Sequence, residues 1–185
     1  KTNSIGFATA RVFGDEGASL AIVDISPRVH DCAEELRALG FTVSSHTADL
    51  TKSADVTAAI AEIVELYGRI DVLVNNAGTA RSFNKAEDMS DEDWLVVVDV
   101  NLNGVFWCAR AFGRTMIAQK SGAIVNIGSM SGFIVNRPQE QSQYNASKAA
   151  VHHLTRSLAA EWAPHGIRVN AVAPTYIDTE LLNYV

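Results

Sequence analysis

Short apolar runs of strand length alternate along this chain with longer stretches of helical period, and that alternation calls for a parallel sheet whose strands are joined by crossover helices. The strand candidates are residues 19–23, 70–74, 123–127 and 168–172, with 41–46 a more polar candidate of the kind found nearer a sheet edge. Helical periodicity covers 6–16, 27–39, 53–67, 91–119 and 143–164. The order α-β-α-β-α-β-α-β-α-β predicts an α/β fold with a doubly wound parallel sheet. The run 91–119 exceeds usual globular helix lengths, so an interruption is expected at Gly104 or Gly113.

Composition narrows the class. With 48% hydrophobic and 19% charged residues in 185, the chain reads as one globular domain, 1–185. A chain of this size buries roughly 70% of its unfolded surface, enough for a core without a staple. Cys32 and Cys108 lack metal or CxxC spacing and read as free thiols of a reducing cytosol. A net charge of -6 with no basic stripe disfavours nucleic acid and anionic membrane as partners. No apolar stretch of about 18 residues runs without polar interruption, so neither a span nor a signal peptide is expected.

Three strand ends carry polar or turn-forming clusters: Asp24-Ile25, Asn75-Asn76-Ala77-Gly78, and Gly128-Ser129-Met130-Ser131-Gly132. In a doubly wound sheet ligands bind outside the carboxyl ends of the strands. Asn3-Ser4-Ile5-Gly6 opens the first helical pattern, and Asp24 follows Gly6 by 18 residues. A glycine-bearing turn followed by an acid about 20 residues on is a dinucleotide-binding arrangement, in which helix-start N–H groups hold pyrophosphate and the acid accepts from ribose hydroxyls. Asp24, Asn75 and Asn76 also suit ordinary turns. Asp49-Leu50 supplies a carboxylate at the next strand end, and Ala77-Gly78 lets a flat ring approach the backbone.

Tyr144-Asn145-Ala146-Ser147-Lys148 opens the last helical pattern, with Ser129 upstream at a strand end. The four-residue step places Tyr144 and Lys148 on one face. A free phenol, with a pKa near 10, is too weakly ionised to serve as a base at neutral pH. An ammonium about 5 Å away at an effective dielectric of about 20 is expected to lower that value by about two units. Alone, such a pair suits an aromatic covered by a lysine stem.

Together with Asn101-Leu102-Asn103-Gly104 and residues 166–174, these motifs resemble the short-chain dehydrogenases over essentially the whole chain and in the family's order. The resemblance implies a Rossmann fold, a nicotinamide cofactor and a tetrad of Asn101, Ser129, Tyr144 and Lys148. Tyr144 would be the general acid/base and Ser129 would hold the reacting oxygen. Lys148 would bind the nicotinamide ribose, and Asn101 would organise a water chain. Ser131 competes with Ser129. Spacing to Gly132 selects Ser129, whereas counting back from Tyr144 selects Ser131; Ser129 is taken, with a short insertion around 134–139. The cofactor set carried over is Asn3, Ser4, Ile5, Gly6, Asp24, Ile25, Asp49, Leu50, Asn76, Ala77, Gly78, Tyr144, Lys148, Pro174, Ile177 and Thr179, and no metal is expected.

The chain also departs from the pattern. Ser4 stands where the family has its second loop glycine, and Thr175 where glycine is common. The family's first strand, closing helix and last strand are expected to be missing. NAD is expected over NADP, because Asp24 would repel a 2'-phosphate, with Arg28 keeping NADP as the alternative. Residues 134–139 lie between Ser129 and Tyr144 and, with Trp107, are expected to line the substrate pocket. Asn136, Arg137 and Gln139 suit a polyhydroxylated chain, as in sugar-alcohol dehydrogenases of the galactitol dehydrogenase type, although Pro138 also suits a surface turn. His152 and His153 read as packing residues, since helical metal pairs need a four-residue step. The reading is a cytoplasmic homotetramer oxidising a secondary alcohol. The alternatives are a 3-oxoacyl thioester reductase using NADPH and a catalytically idle NAD-binding sensor.

Overall fold

The computed structural model describes residues 4–80 and 83–179; Asn3, expected to touch cofactor, lies outside the described residues. Contacts group the chain into two compact units, one running to Gly68 and resuming at Tyr176, the other spanning Arg69–Thr175.

The first unit runs α1 (Ile5–Asp15), β1 (Leu20–Asp24), α2 (Val29–Ala38), β2 (Val43–Thr47) and α3 (Ser53–Tyr67). Ser4 starts α1 as its N-cap, its Oγ accepting from the Phe7 N–H at 3.1 Å. Gly68, at φ 73°, ends α3 in the left-handed conformation that glycine adopts without a Cβ penalty. β1 and β2 pair in parallel, Leu20 opposite Val43 through Asp24 opposite Thr47. Val29, Ala33 and Leu36 make the buried stripe of α2. Leu20, Ala33, Leu36 and Val43 form the core, with Phe7, Phe13, Ile22 and Phe41 packed around it. Arg37 donates twice to the Val43 carbonyl, at 3.0 and 2.8 Å, fixing the end of α2 to the start of β2.

The second unit contains β3 (Val72–Asn75), α4 (Asp91–Val98), α5 (Gly104–Gln119), β4 (Gly122–Ile127), α6 (Ser142–Trp162) and β5 (Ile167–Val172). Its sheet is parallel in the order β3-β4-β5, and its central strand buries Ile124 completely. The interruption expected in 91–119 falls one residue before Gly104, as a π turn over Asp99–Asn103. A π turn shifts the ladder to i→i+5, here Gly104 N–H to the Asp99 carbonyl, and places Asn101 fully inside. Gly113 instead serves packing: a Cβ there would lie 2.7 Å from Trp162 at the end of α6.

By length and composition the run Asp91–Gln119 is apolar enough to cross a membrane. Its Val97, Val105, Cys108, Ala109, Gly113 and Met116 are nonetheless buried, and α5 packs on β3, β4 and α6, as a core helix does.

A buried polar ladder crosses this unit. Asn75 Nδ2 donates to Asn126 Oδ1 at 2.8 Å, Asn126 Nδ2 to Thr155 Oγ1 at 2.9 Å, and Thr155 Oγ1 to the Val151 carbonyl at 2.7 Å. Each member is satisfied, so the ladder avoids the penalty of an orphaned buried amide.

Candidate active site

All four expected catalytic residues fall in the second unit. Ser129 follows β4 in extended conformation and starts a 3₁₀ turn, Met130–Gly132, its Oγ accepting from the Ser131 N–H at 3.1 Å. The same hydroxyl faces the Tyr144 phenol closely enough to pull its pKa down. Ser131 is engaged elsewhere, its Oγ accepting from Asn136 Nδ2 at 3.1 Å and Gln141 Nε2 at 3.4 Å. Of the two competing serines, Ser129 is therefore the one that meets the tyrosine.

Lys148 is buried one turn beyond Tyr144 on α6. Its Nζ donates to the Ile127 carbonyl at 2.8 Å and lies 5.7 Å from the Tyr144 ring centroid. Burial pushes its pKa down to about 8. Burial also pushes the Tyr144 phenol up, with the Ser129 hydroxyl pulling the other way. This corrects the expectation that Lys148 lowers the phenol's pKa in the chain by itself. A low dielectric penalises phenolate and ammonium alike, and here desolvation outweighs the pull of the Ser129 hydroxyl.

Asn101 enters from the π turn. Its Oδ1 accepts from the Thr79 N–H at 2.8 Å, and its Nδ2 donates to the Thr79 carbonyl at 2.9 Å and to Ser147 Oγ at 3.1 Å. Ser147 Oγ in turn donates to the Tyr144 carbonyl at 2.8 Å. Both amide hydrogens thus have protein acceptors. A Cβ on Gly78 would lie 3.3 Å from both Asn101 Oδ1 and Lys148 Nζ. The turn after β3, α6 and the π turn are brought together in this way.

Sequence reasoning missed three members of the network. Ser147 lies inside the Tyr144–Lys148 motif and was open to being flagged. Thr79 and Ile127 contribute backbone atoms, which leave no signature in residue type.

The expected cofactor residues are divided between the units. In the first, Ser4 and Ile5 share a groove of about 410 Å³ with Ile177 and Thr179. The first turn of α1, which includes Gly6, has no acidic side chain to repel an anion. Asp24 is exposed at the end of β1, its Oδ1 accepting from the Ser26 N–H at 2.8 Å, with Ile25 exposed beside it. Asp49, followed by Leu50, accepts from Thr51 Oγ1 at 2.7 Å and Thr51 N–H at 3.0 Å; the Thr51 hydroxyl chiefly holds this carboxyl below its usual range, against desolvation. In the second unit Asn76, Ala77 and Gly78 follow β3, and the Pro174 carbonyl accepts from Met130 N–H at 3.0 Å. Within the first unit, an uncharged helix start and an exposed strand-end acid suit the phosphate and ribose of a dinucleotide, and within the second, taken by itself, the Gly78 turn offers a cradle that a Cβ would fill, so the residues of each unit fit the group.

In the segment expected to line the substrate pocket, Ile134, Val135 and Arg137 are exposed. Asn136 is tied to Ser131. Gln139 Oε1 is a buried acceptor with no hydrogen-bond donor among the described residues. Trp107 packs against Phe106, with the Arg110 guanidinium 4.5 Å above its ring. His153 is exposed, whereas His152 is buried against the Ser129 segment.

The short-chain dehydrogenase family model matches residues 1–185, and the chain belongs to that family, with its Rossmann-type α/β fold. Its members are oxidoreductases acting on CH–OH groups with a nicotinamide cofactor. It is 53% identical over 179 residues to galactitol 2-dehydrogenase of Rhizobium johnstonii (strain DSM 114642 / LMG 32736 / 3841), covering 97% of this chain and 70% of that protein. The crystal structure of NAD+-bound xylitol dehydrogenase matches with a TM-score of 0.91 at 34% identity, covering 96% of this chain and 68% of that one. The crystal structure of a gluconate 5-dehydrogenase from Burkholderia cenocepacia J2315 in complex with NADP and tartrate matches with a TM-score of 0.92 at 37% identity, covering 98% and 70%.

Proposed function

We propose that this protein is an NAD-dependent sugar-alcohol dehydrogenase that takes a secondary hydroxyl to a ketone. The observation that carries the chemistry is the convergence of three side chains: buried Ser129 and Lys148 both stand at Tyr144, the Ser129 hydroxyl pulling the phenol's pKa down and Lys148 Nζ lying 5.7 Å from its ring. A nicotinamide cofactor, when bound, supplies the hydride acceptor. Tyr144 as phenolate takes the hydroxyl proton as the C–H bond breaks, and as phenol returns it in reduction. Ser129 donates to the reacting oxygen and stabilises its developing charge. Lys148 supplies a positive charge near the phenol and a donor toward the cofactor ribose. Asn101 holds the Gly78 turn through Thr79.

Asp24 favours NAD, since an exposed carboxylate accepts from ribose hydroxyls and opposes a 2'-phosphate. Arg28, four residues beyond Asp24, would suit NADP, the cofactor of the gluconate 5-dehydrogenase structure. The polyol assignment is supported by the unpartnered Gln139 Oε1, which a substrate hydroxyl would satisfy, and by the sugar-alcohol names of the relatives. The reading extends to a cytoplasmic homotetramer.

The test is nicotinamide absorbance with the full chain, supplying NAD or NADP with galactitol, xylitol and glycerol, and NADPH with 3-oxoacyl thioesters. Oxidation of a polyol with NAD is expected to be fastest. Preferential thioester reduction with NADPH overturns the substrate assignment, and cofactor binding without turnover of any alcohol or ketone overturns the enzymatic one.

A further inference from the structure

His152 lies one turn beyond Lys148, which lies one turn beyond Tyr144, so the three share a stripe along α6. Its ring is buried and wedged between the two glycines that flank the Ser129 segment. A Cβ on Gly128 would fall 2.3 Å from Cε1, and one on Gly132 2.6 Å from Cδ2. No other residue type at either glycine leaves room for this imidazole. Phe133 closes the far side, its ring stacked on His152 with centroids 4.2 Å apart.

The polar contact is as specific as the packing. His152 Nε2 lies 2.9 Å from the Ser129 carbonyl oxygen. A carbonyl only accepts, so Nε2 carries the proton. The Ser129 N–H, 3.5 Å from the same nitrogen, is then not accepted by it. The Ser129 carbonyl also accepts from Gly132 N–H at 3.1 Å, so two donors fix the orientation of its peptide plane.

We propose that His152 is a positioning residue: by gripping the Ser129 carbonyl it fixes the frame from which the Ser129 hydroxyl is aimed at Tyr144. The inference rests on Ser129 and Tyr144 being the reacting pair. It assigns His152 no contact with substrate or cofactor. Through it, α6 sets the serine by the same rigid body that carries the tyrosine and the lysine.

The test uses the full chain oxidising galactitol or xylitol with NAD. His152→Leu is expected to lower kcat about 10-fold or more while the KM for NAD stays within about 2-fold, because a misplaced hydroxyl affects the chemical step rather than cofactor affinity. His152→Gln, whose amide nitrogen reaches the same point, should restore most of the rate. In a Ser129→Ala background, His152→Leu should cause no further loss. An equal fractional loss in both backgrounds, or a KM for NAD that moves in step with kcat, overturns the proposal and leaves His152 a packing residue. Full turnover by Ser129→Ala alone overturns the serine assignment and this role with it, a result separate from additivity. If the leucine variant does not fold, His152→Gln should still exceed the shorter His152→Asn in rate, and equal rates overturn the proposal.

Discussion

Asn101 and Thr79 are bonded to each other in both directions, Oδ1 accepting from the Thr79 N–H and Nδ2 donating to the Thr79 carbonyl. Asn101→Ala strips both half-buried Thr79 groups of their partners and should cost about 2 kcal/mol of stability. The KM for NAD should rise as well, since the Gly78 turn loses its anchor. Urea denaturation and cofactor titration check the two effects together; a change in neither would mean that water replaces the amide.

Tyr144→Phe should retain NAD binding and abolish turnover, because the ring still packs while the ionisable oxygen is gone. Lys148→Met should lose rate and bind NAD more weakly, one side chain serving both purposes. Near-normal oxidation by the first variant, or unchanged affinity in the second, would remove the corresponding residue from the mechanism.

Ser129→Ala should lower turnover by about 10² or more, the scale of losing one oxyanion donor, while Ser131→Ala should be mild in turnover. Ser131 should instead affect the loop that Asn136 and Gln141 tie to it. The opposite ranking in steady-state kinetics would reassign the serine.

Two pH effects follow from burial. The phenol of Tyr144 is held upward, so the phenolate needed for oxidation is scarce on the acid side. Oxidation kcat/KM should therefore climb with pH, by about tenfold per unit on its acid limb, while ketone reduction falls over the alkaline range. A flat oxidation profile would count against Tyr144 as the base.

Lys148 gives a stability effect of determined sign. Its folded value of about 8 lies below the ordinary lysine value of 10.5, so between these the unfolded chain binds more protons and stability rises with pH. The burial penalty is fully present below about 8 and is relieved toward 10.5. Comparing chemical denaturation of the wild type with Lys148→Met isolates it: the difference should move in the wild type's favour across that window. A constant difference would place the ammonium in contact with water.

For the substrate, Arg137→Met should raise KM for polyols more than for a simple monohydric alcohol, and Gln139→Leu should do so more strongly, because its acceptor is buried. Equal effects on both alcohols would identify 134–139 as a surface loop.

Element type was readable because strand and helix periods differ and α2, α3, α5 and α6 each keep a buried stripe. Ser53–Tyr67, for example, begins and ends where its pattern and Gly68 place it. The π turn was not readable: it depends on the interior demand for Asn101, and helical periodicity passes through it with little change. In the site, Tyr144, Lys148 and Ser129 carried their chemistry in residue type. The direction of the tyrosine's shift did not follow from spacing, because four residues along a helix fix proximity but say nothing of solvent exclusion. His152 was read only as packing, since a histidine's hydrogen-bond partner on another element leaves no local mark.

The ladder from Asn75 through Asn126 to Thr155 has a bearing on strand register. Parallel strands rich in valine and isoleucine can slide by two residues and still bury the same kind of face. Such a slide of β3 on β4 would part Asn75 from Asn126, opposite each other in the register, and break the bond between Asn75 Nδ2 and Asn126 Oδ1 in the interior. At about 3.3 Å per strand residue, it would also shift the Gly78 turn against the Ser129 segment by more than 6 Å. Two asparagines with no part in the proton transfer therefore gauge the depth at which the reacting groups meet.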